Sequence, residues 1–195
     1  RQLPKCWTGT RGDEQLLFSK AVLLENSDQL PEALIIAEEL LTVSEKLNVI
    51  ILKARVLDAM HREDDAIAYL TGAVAVPEPD RRLQLILARM LFEEGDLEAA
   101  KVQYNNVLNV SPNDGDVLFA LALIALEQED DLQAQEHLER MVRWNRRSGE
   151  AHYYLGGIAE RRSDTMAALK EYAQAGDGYE FIPAQARIVS LLAND

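Results

Sequence analysis

Residues 92–104 read FEEGDLEAAKVQY. Glu93, Glu94, Asp96 and Glu98 crowd a Gly-Asp step, so three readings compete: an acidic active-site loop, a metal-binding loop, or a bend between two helices. Nothing inside the stretch decides between them. The surrounding chain does, because the same pattern returns at a fixed spacing.

Aligned on the alanine after the acidic turn, the chain gives Ala66, Ala100, Ala134 and Ala168, each 34 residues from the last. A second column of small residues reads Ala54, Ala88, Ala122 and Gly156, with the same period. Four residues beyond the first column stand Leu70, Tyr104, Leu138 and Tyr172. A fourth column reads Lys53, Leu87, Leu121 and Leu155, with Lys53 the exception. Ala21 and Ala33 carry the first two columns one unit upstream, offset by 33 residues. Several columns sharing one period mark a repeat array.

Each unit holds two helical patterns joined by a polar turn. RRLQLILARMLFEEG (81–95) has apolar residues at helical spacing, and DLEAAKVQYNNVLNV (96–110) follows. Gly95 suits a helix end because it accepts positive φ. Asp96 suits the next N-cap, where its carboxylate and the acids after it face a helix N-terminus. Pro112 cannot continue the second helix. HREDD (61–65), EQEDD (127–131) and RRSD (161–164) occupy the same phase. The opening stretch is therefore read as a capped bend. A Ca²⁺ loop would need an EF-hand ligand series that the sequence lacks.

Composition agrees with an all-α protein. Ala and Leu are abundant, aromatics are 6%, and alternating β-branched runs are absent. The net charge is −13. Acids outnumber bases in every third of the chain, which disfavours nucleic-acid binding. One cysteine, Cys6, permits neither an internal disulfide nor a thiolate cluster. No apolar run reaches the length of a membrane span, so no membrane insertion is expected. The chain opens on Arg1 rather than Met, and its last segment keeps an apolar face at Ile182, Ala186, Val189 and Leu192. Both features lead to the expectation of a piece cut from a longer array.

Catalytic chemistry finds no foothold. His61, His137 and His152 stand outside any HExxH or Cys/His pattern. Gly156-Gly157 has no phosphate-loop spacing, and close helix packing accounts for Gly156. No G-x-S-x-G is present. The expectation is a non-enzyme without metal or cofactor. ERMVRWNRRSGE (139–150) gathers Arg140, Arg143, Arg146 and Arg147 around Trp144. It offers either an anion or acidic-partner site or, as the favoured reading, a helix C-terminus whose arginines complement the dipole.

The period and columns resemble the tetratricopeptide repeat, over roughly residues 13–195. The unit EAHYYLGGIAERRSDTMAALKEYAQA (150–175) is a close match. Departures are Gln84 and His152 where a large aromatic is usual, and a terminal proline that is clean only at Pro112. The resemblance implies a right-handed α-solenoid. Repeats are expected at about 14–46, 47–80, 81–114, 115–148 and 149–182, in one domain at 13–195. A flexible lead at 1–12 precedes them, and an extra half-repeat or capping helix at 183–194 follows. It also implies an inner face built from the first helix of each unit, carrying Phe18, Ile51, Leu85, Phe119 and Tyr153. One turn further on that face come Val22, Arg55, Arg89, Leu123 and Gly157. Relatives that grip chaperone tails use Lys and Asn at these slots. Phe18, Ile51 and Phe119 stand there instead, so that role is disfavoured.

The expected function is a scaffold or adaptor binding a peptide or protein partner on this ladder. EAHYYLGGIAERRSD with FIPAQARIVSLLA (181–193) further resembles bacterial lipoproteins of the LbcA type. That implies delivery of substrates to a carboxyl-terminal processing protease at the periplasmic side of the outer membrane; without it, a cytoplasmic location is expected. The alternatives are a self-assembly module joined through its ends and a regulatory region of a larger enzyme.

Overall fold

The computed structural model describes residues 11–44, 46–176 and 178–193. Among them the chain forms eleven α-helices and no strand. In order these are α1 (Arg11–Asn26), α2 (Leu30–Leu41), α3 (Leu47–Ala59), α4 (Glu63–Val74) and α5 (Arg81–Glu93), then α6 (Leu97–Val110), α7 (Gly115–Glu127), α8 (Asp131–Arg143), α9 (Ser148–Arg161), α10 (Thr165–Tyr172) and α11 (Phe181–Ala193). Of the lead expected at 1–12, residues 1–10 lie outside the described residues. Arg11 and Gly12 are helical, in α1.

Two compact units emerge, Arg1–Glu94 and Gly95–Asp195. In each, a helix packs chiefly on its neighbours in the chain: α1 to α5 successively in the first, α6 to α11 successively in the second. Such local packing is what a helical repeat requires, since one helix pair cannot cover its apolar face alone.

The turns inside the repeats carry the period in the backbone itself. Asp28, His61, Gly95, Glu129 and Ser163 all have positive φ, so successive intervals are 33, 34, 34 and 34 residues. Of these only Gly95 is free of the Cβ penalty of that conformation. The acids are caps. Asp96 accepts from the Ala99 N–H at 3.1 Å, Asp130 from Gln133 at 3.0 Å and Asp164 from Ala167 at 2.9 Å. The opening stretch is thus a bend, with Gly95 ending α5 and Asp96 starting α6.

The small-residue columns are the core. Ala54, Ala66, Ala88, Ala100, Ala122, Ala134 and Ala168 are all at 0% exposure, and Gly156 is buried. Leu70, Tyr104, Leu138 and Tyr172 are buried beside them. The exception, Lys53, is tolerated because its stem stays half-buried while its ammonium sits 3.1 Å from Glu38 and 4.6 Å from the Tyr69 ring centre. Gly156 marks a close approach: a Cβ there would lie 2.6 Å from the Tyr172 ring.

Helix α11 packs through one of two apolar stripes. It rests Ala184, Ile188 and Leu191 on a cluster of Ala168, Tyr172 and Ala175. The apolar stripe named from the sequence, through Ile182, Val189 and Leu192, points outward, as does Ala186. Both stripes are apolar, and only the one with Ala184 on it lets the backbone come close to the small residues of α10 and the turn after it. Tyr172 donates its hydroxyl to Glu160 at 2.9 Å, and Arg187 of α11 donates to the same carboxylate. Burial and this bond push the Tyr172 hydroxyl up to about 12, so it remains a donor at neutral pH.

Candidate partner-binding surface

The ladder residues all sit on first helices. In the first unit, Phe18 and Val22 are on α1, Ile51 and Arg55 on α3, and Leu85 and Arg89 on α5. Phe18, Val22, Ile51 and Leu85 are half-buried, whereas Arg55 and Arg89 are exposed. Phe18 borders a cleft of about 400 Å³ with Glu14, Lys46 and Asn48 on its rim. Neither arginine is unengaged: Arg55 forks onto Glu25 of α1, with Nε 2.9 Å from Oε1, and Arg89 lies 3.8 Å from Glu93. An exposed pair like the latter is weak and readily exchanged for another carboxylate.

In the second unit, Phe119 and Leu123 are on α7, and Tyr153 and Gly157 on α9; all are half-buried. Phe119 and Tyr153 are brought together through Tyr154, which the sequence reading passed over. Its ring meets Phe119 edge-on at 5.4 Å and Tyr153 edge-on at 5.5 Å. Tyr153 in turn leans on Tyr172 at 5.7 Å. Edge-to-face pairs of this kind exceed their area burial by about 0.5–1.5 kcal/mol each. Burial raises the Tyr154 hydroxyl above its ordinary range, so that ring is uncharged at physiological pH.

Arg147 completes the cluster. Its guanidinium lies 4.1 Å from the centre of the Phe119 ring and also meets Asp116 at 3.1 Å and Glu150 at 3.0 Å. A cation placed there is drawn to the ring face, the more so as water is excluded. The only sequence signal for it was the arginine run at 139–150. The result is an aromatic surface with one fixed cation and two nearby carboxylates.

The histidines take separate roles. His61 is exposed. His152 Nδ1 meets Glu171 at 2.7 Å. His137 is buried in α8, its Nδ1 has no partner among the described residues, and burial holds it below its ordinary value. Among the described residues no three His, Cys, Asp or Glu side chains gather as a cation site. Cys6 lies outside the described residues. No helix among them is long and apolar enough to cross a membrane.

Comparison with known proteins completes the assignment. Two family profiles, both described as tetratricopeptide repeat, match residues 51–108 and 91–158, together more than half the chain. The chain belongs to the tetratricopeptide-repeat family. A relative, the TPR repeat-containing protein PA4667 of Pseudomonas aeruginosa, is 36% identical over 178 residues. That match spans 91% of this chain but only 30% of the relative. Among solved structures, a tetratricopeptide repeat protein from Parabacteroides merdae aligns with TM-score 0.76 at 14% identity, covering 92% of this chain and 73% of its own. The MamA protein aligns at 0.71 and 15% identity, covering 83% and 89%. YrrB, described as a TPR protein with an unusual peptide-binding site, aligns at 0.66 and 15%, covering 91% and 89%. At such identities these likenesses establish the repeat fold alone.

Proposed function

We propose that the chain is a non-enzymatic interaction module that takes a peptide or protein segment on the exposed side of its first helices. The observation that carries this reading is the aromatic cluster of the second unit. Phe119 and Tyr153, from successive first helices, are left half-buried, with only one side of Tyr153 spent on the core residue Tyr172. Large aromatics beside an arginine are the side chains that dominate binding energies. The peptide-binding site described for YrrB supports the same use of this fold. More finely, the partner is a substrate handed to a periplasmic carboxyl-terminal processing protease, and the chain works at the inner side of the outer membrane. The support for this is the likeness of 150–164 and 181–193 to lipoprotein adaptors and the bacterial source of the 36% identical relative.

The test is capture of partners from a bacterial lysate, then titration of a recovered partner against variants. Phe119→Ala and Tyr153→Ala are each expected to weaken binding by about 1–3 kcal/mol. Lys101→Glu on α6 is expected to change little. The reverse pattern refutes the assignment.

One observation favours a second reading, self-association: Ile182, Val189 and Leu192 form an outward apolar stripe on α11. Sedimentation of the full chain against Val189→Glu distinguishes the two. A monomer unaffected by the substitution rules self-association out.

A further inference from the structure

The arginine run at 139–150 divides into two pairs. Arg140 Nη2 donates to the Pro112 carbonyl at 2.7 Å, tying α8 to the turn before α7. Arg147 is engaged by Phe119, Asp116 and Glu150, as described. Those two are already engaged within the chain. Among the described residues neither the Arg143 nor the Arg146 side chain has a hydrogen bond or ion pair, and both are exposed. Between them stands Trp144, 53% exposed, its ring N–H without a partner among the described residues. The α8 dipole favours cations here, but Arg143 bonds no carbonyl and its donors remain available.

The turn that presents these side chains is held firmly. Asn145 and Arg147 both take left-handed backbone, φ 50° and 45°, which non-glycine residues adopt at a cost. The Arg146 N–H returns to the Met141 carbonyl at 2.8 Å, and Ser148 Oγ donates to Asn145 Oδ1 at 3.1 Å. The Arg146 stem lies on Gly115, where an added Cβ would come within 2.7 Å of its own. Beside Arg143 opens a cleft of about 590 Å³ between α8 and α10, with Val142, Leu155 and Ala159 in its lining. None of the ladder residues lines it. Its acids are engaged elsewhere: Glu139 with Gln135, Asp164 with the Ala167 N–H, and Glu171 with His152. Its other cation, Arg162, donates to Gln135 at 2.7 Å.

We propose that the α8–α9 turn is a second docking surface, for an acidic segment of a protein partner that sets an apolar side chain against Trp144 and carboxylates on Arg143 and Arg146. Guanidinium forks match carboxylates in geometry and charge. Trp and Arg together are the commonest interface anchors, and a turn fixed beforehand loses little entropy on binding. Charge selects the partner class. At −13 the chain repels an anionic membrane or a nucleic acid at long range. A short acidic segment meets mainly the charges within about 8 Å at physiological salt; on the turn itself Arg143 and Arg146 lack an ion-pair partner among the described residues, while Asp116 and Glu150 are paired with Arg147.

The probe is a short synthetic peptide of glutamates around a central Leu-Phe pair, fluorescein-labelled. It is titrated into the full chain carrying Trp7→Phe, so that Trp144 is the sole tryptophan reporter. We expect saturable binding that shifts Trp144 emission. Arg143→Glu with Arg146→Glu should weaken it by about tenfold or more, and Trp144→Ala should do so by anisotropy. The milder Arg143→Gln with Arg146→Gln should also weaken it, with an unchanged melting midpoint. No saturable binding, equal binding of the lysine counterpart, full affinity in the variants, or tighter binding to phosphatidylserine vesicles than to the peptide would each overturn the proposal.

Discussion

At the scale of the residue, the intra-repeat turn shows how one backbone need is met by different side chains. Gly95 takes its left-handed conformation freely, whereas Ser163 and Glu129 hold the same place with a Cβ. The left-handed region costs an L-residue roughly 1–2 kcal/mol, partly offset because glycine loses more freedom on folding. Ser163→Gly is therefore expected to raise stability by about 0.5–1 kcal/mol, and Gly95→Ala to lower it by about 1 kcal/mol. Urea midpoints measure both. His137 makes a second case. Burial disfavours its charged form in the folded chain, while the unfolded chain takes up its proton as pH falls through about 6.5. Its contribution is thus neutral above that pH and increasingly destabilising below it. His137→Leu should flatten the loss of stability between pH 7.5 and 5.5 and leave the stability at pH 7.5 equal or higher. An unchanged pH slope would mean the ring is solvated. Neither the unpartnered Nδ1 nor its burial was legible in the sequence, because α8 places His137 inward by geometry rather than by hydrophobicity.

At the scale of the element, the repeat columns were legible because each marks a steric minimum that must recur. Ala122 and Ala134 stand at 0% exposure on the packed pair α7 and α8. Ala134→Leu should overpack this pair and cost about 1–3 kcal/mol, read from the melting midpoint. An unchanged midpoint would put the column out of phase. Gly156→Ala poses two opposed effects. Helix propensity favours alanine by about 1 kcal/mol. Against it, a Cβ 2.6 Å from a ring fixed by its bond to Glu160 should cost more than that, so net destabilisation is expected. The orientation of α11 was half legible: the stripe through Ile182, Val189 and Leu192 was named as an apolar face left over, whereas the packed stripe through Ala184, Ile188 and Leu191 was not singled out. Deleting 181–195 should uncover Ala168, Tyr172 and Ala175 and remove the Arg187 bond to Glu160. Lower stability is expected, because each repeat relies on its neighbour. An equally stable truncation would make α11 a passive tail.

At the scale of the whole chain, fold and function were legible to different depths. A 34-residue period and its caps need only local chemistry, so the sequence carried them fully. The ladder positions were read by resemblance, and their company was not. Tyr154 as the bridge between Phe119 and Tyr153, and Arg147 over the Phe119 ring, arise from juxtapositions that a linear pattern does not contain. The central claim is that partners engage the first helices, and the measurement that meets it most directly is amide hydrogen exchange on the full chain, free and saturated with a recovered partner. Binding at the aromatic cluster predicts slowed exchange concentrated in α7 and α9, around Phe119 and Tyr153, with α6, α8 and α10 little changed. Protection confined to α6, α8 and α10, with α7 and α9 exchanging as in the free chain, would contradict it.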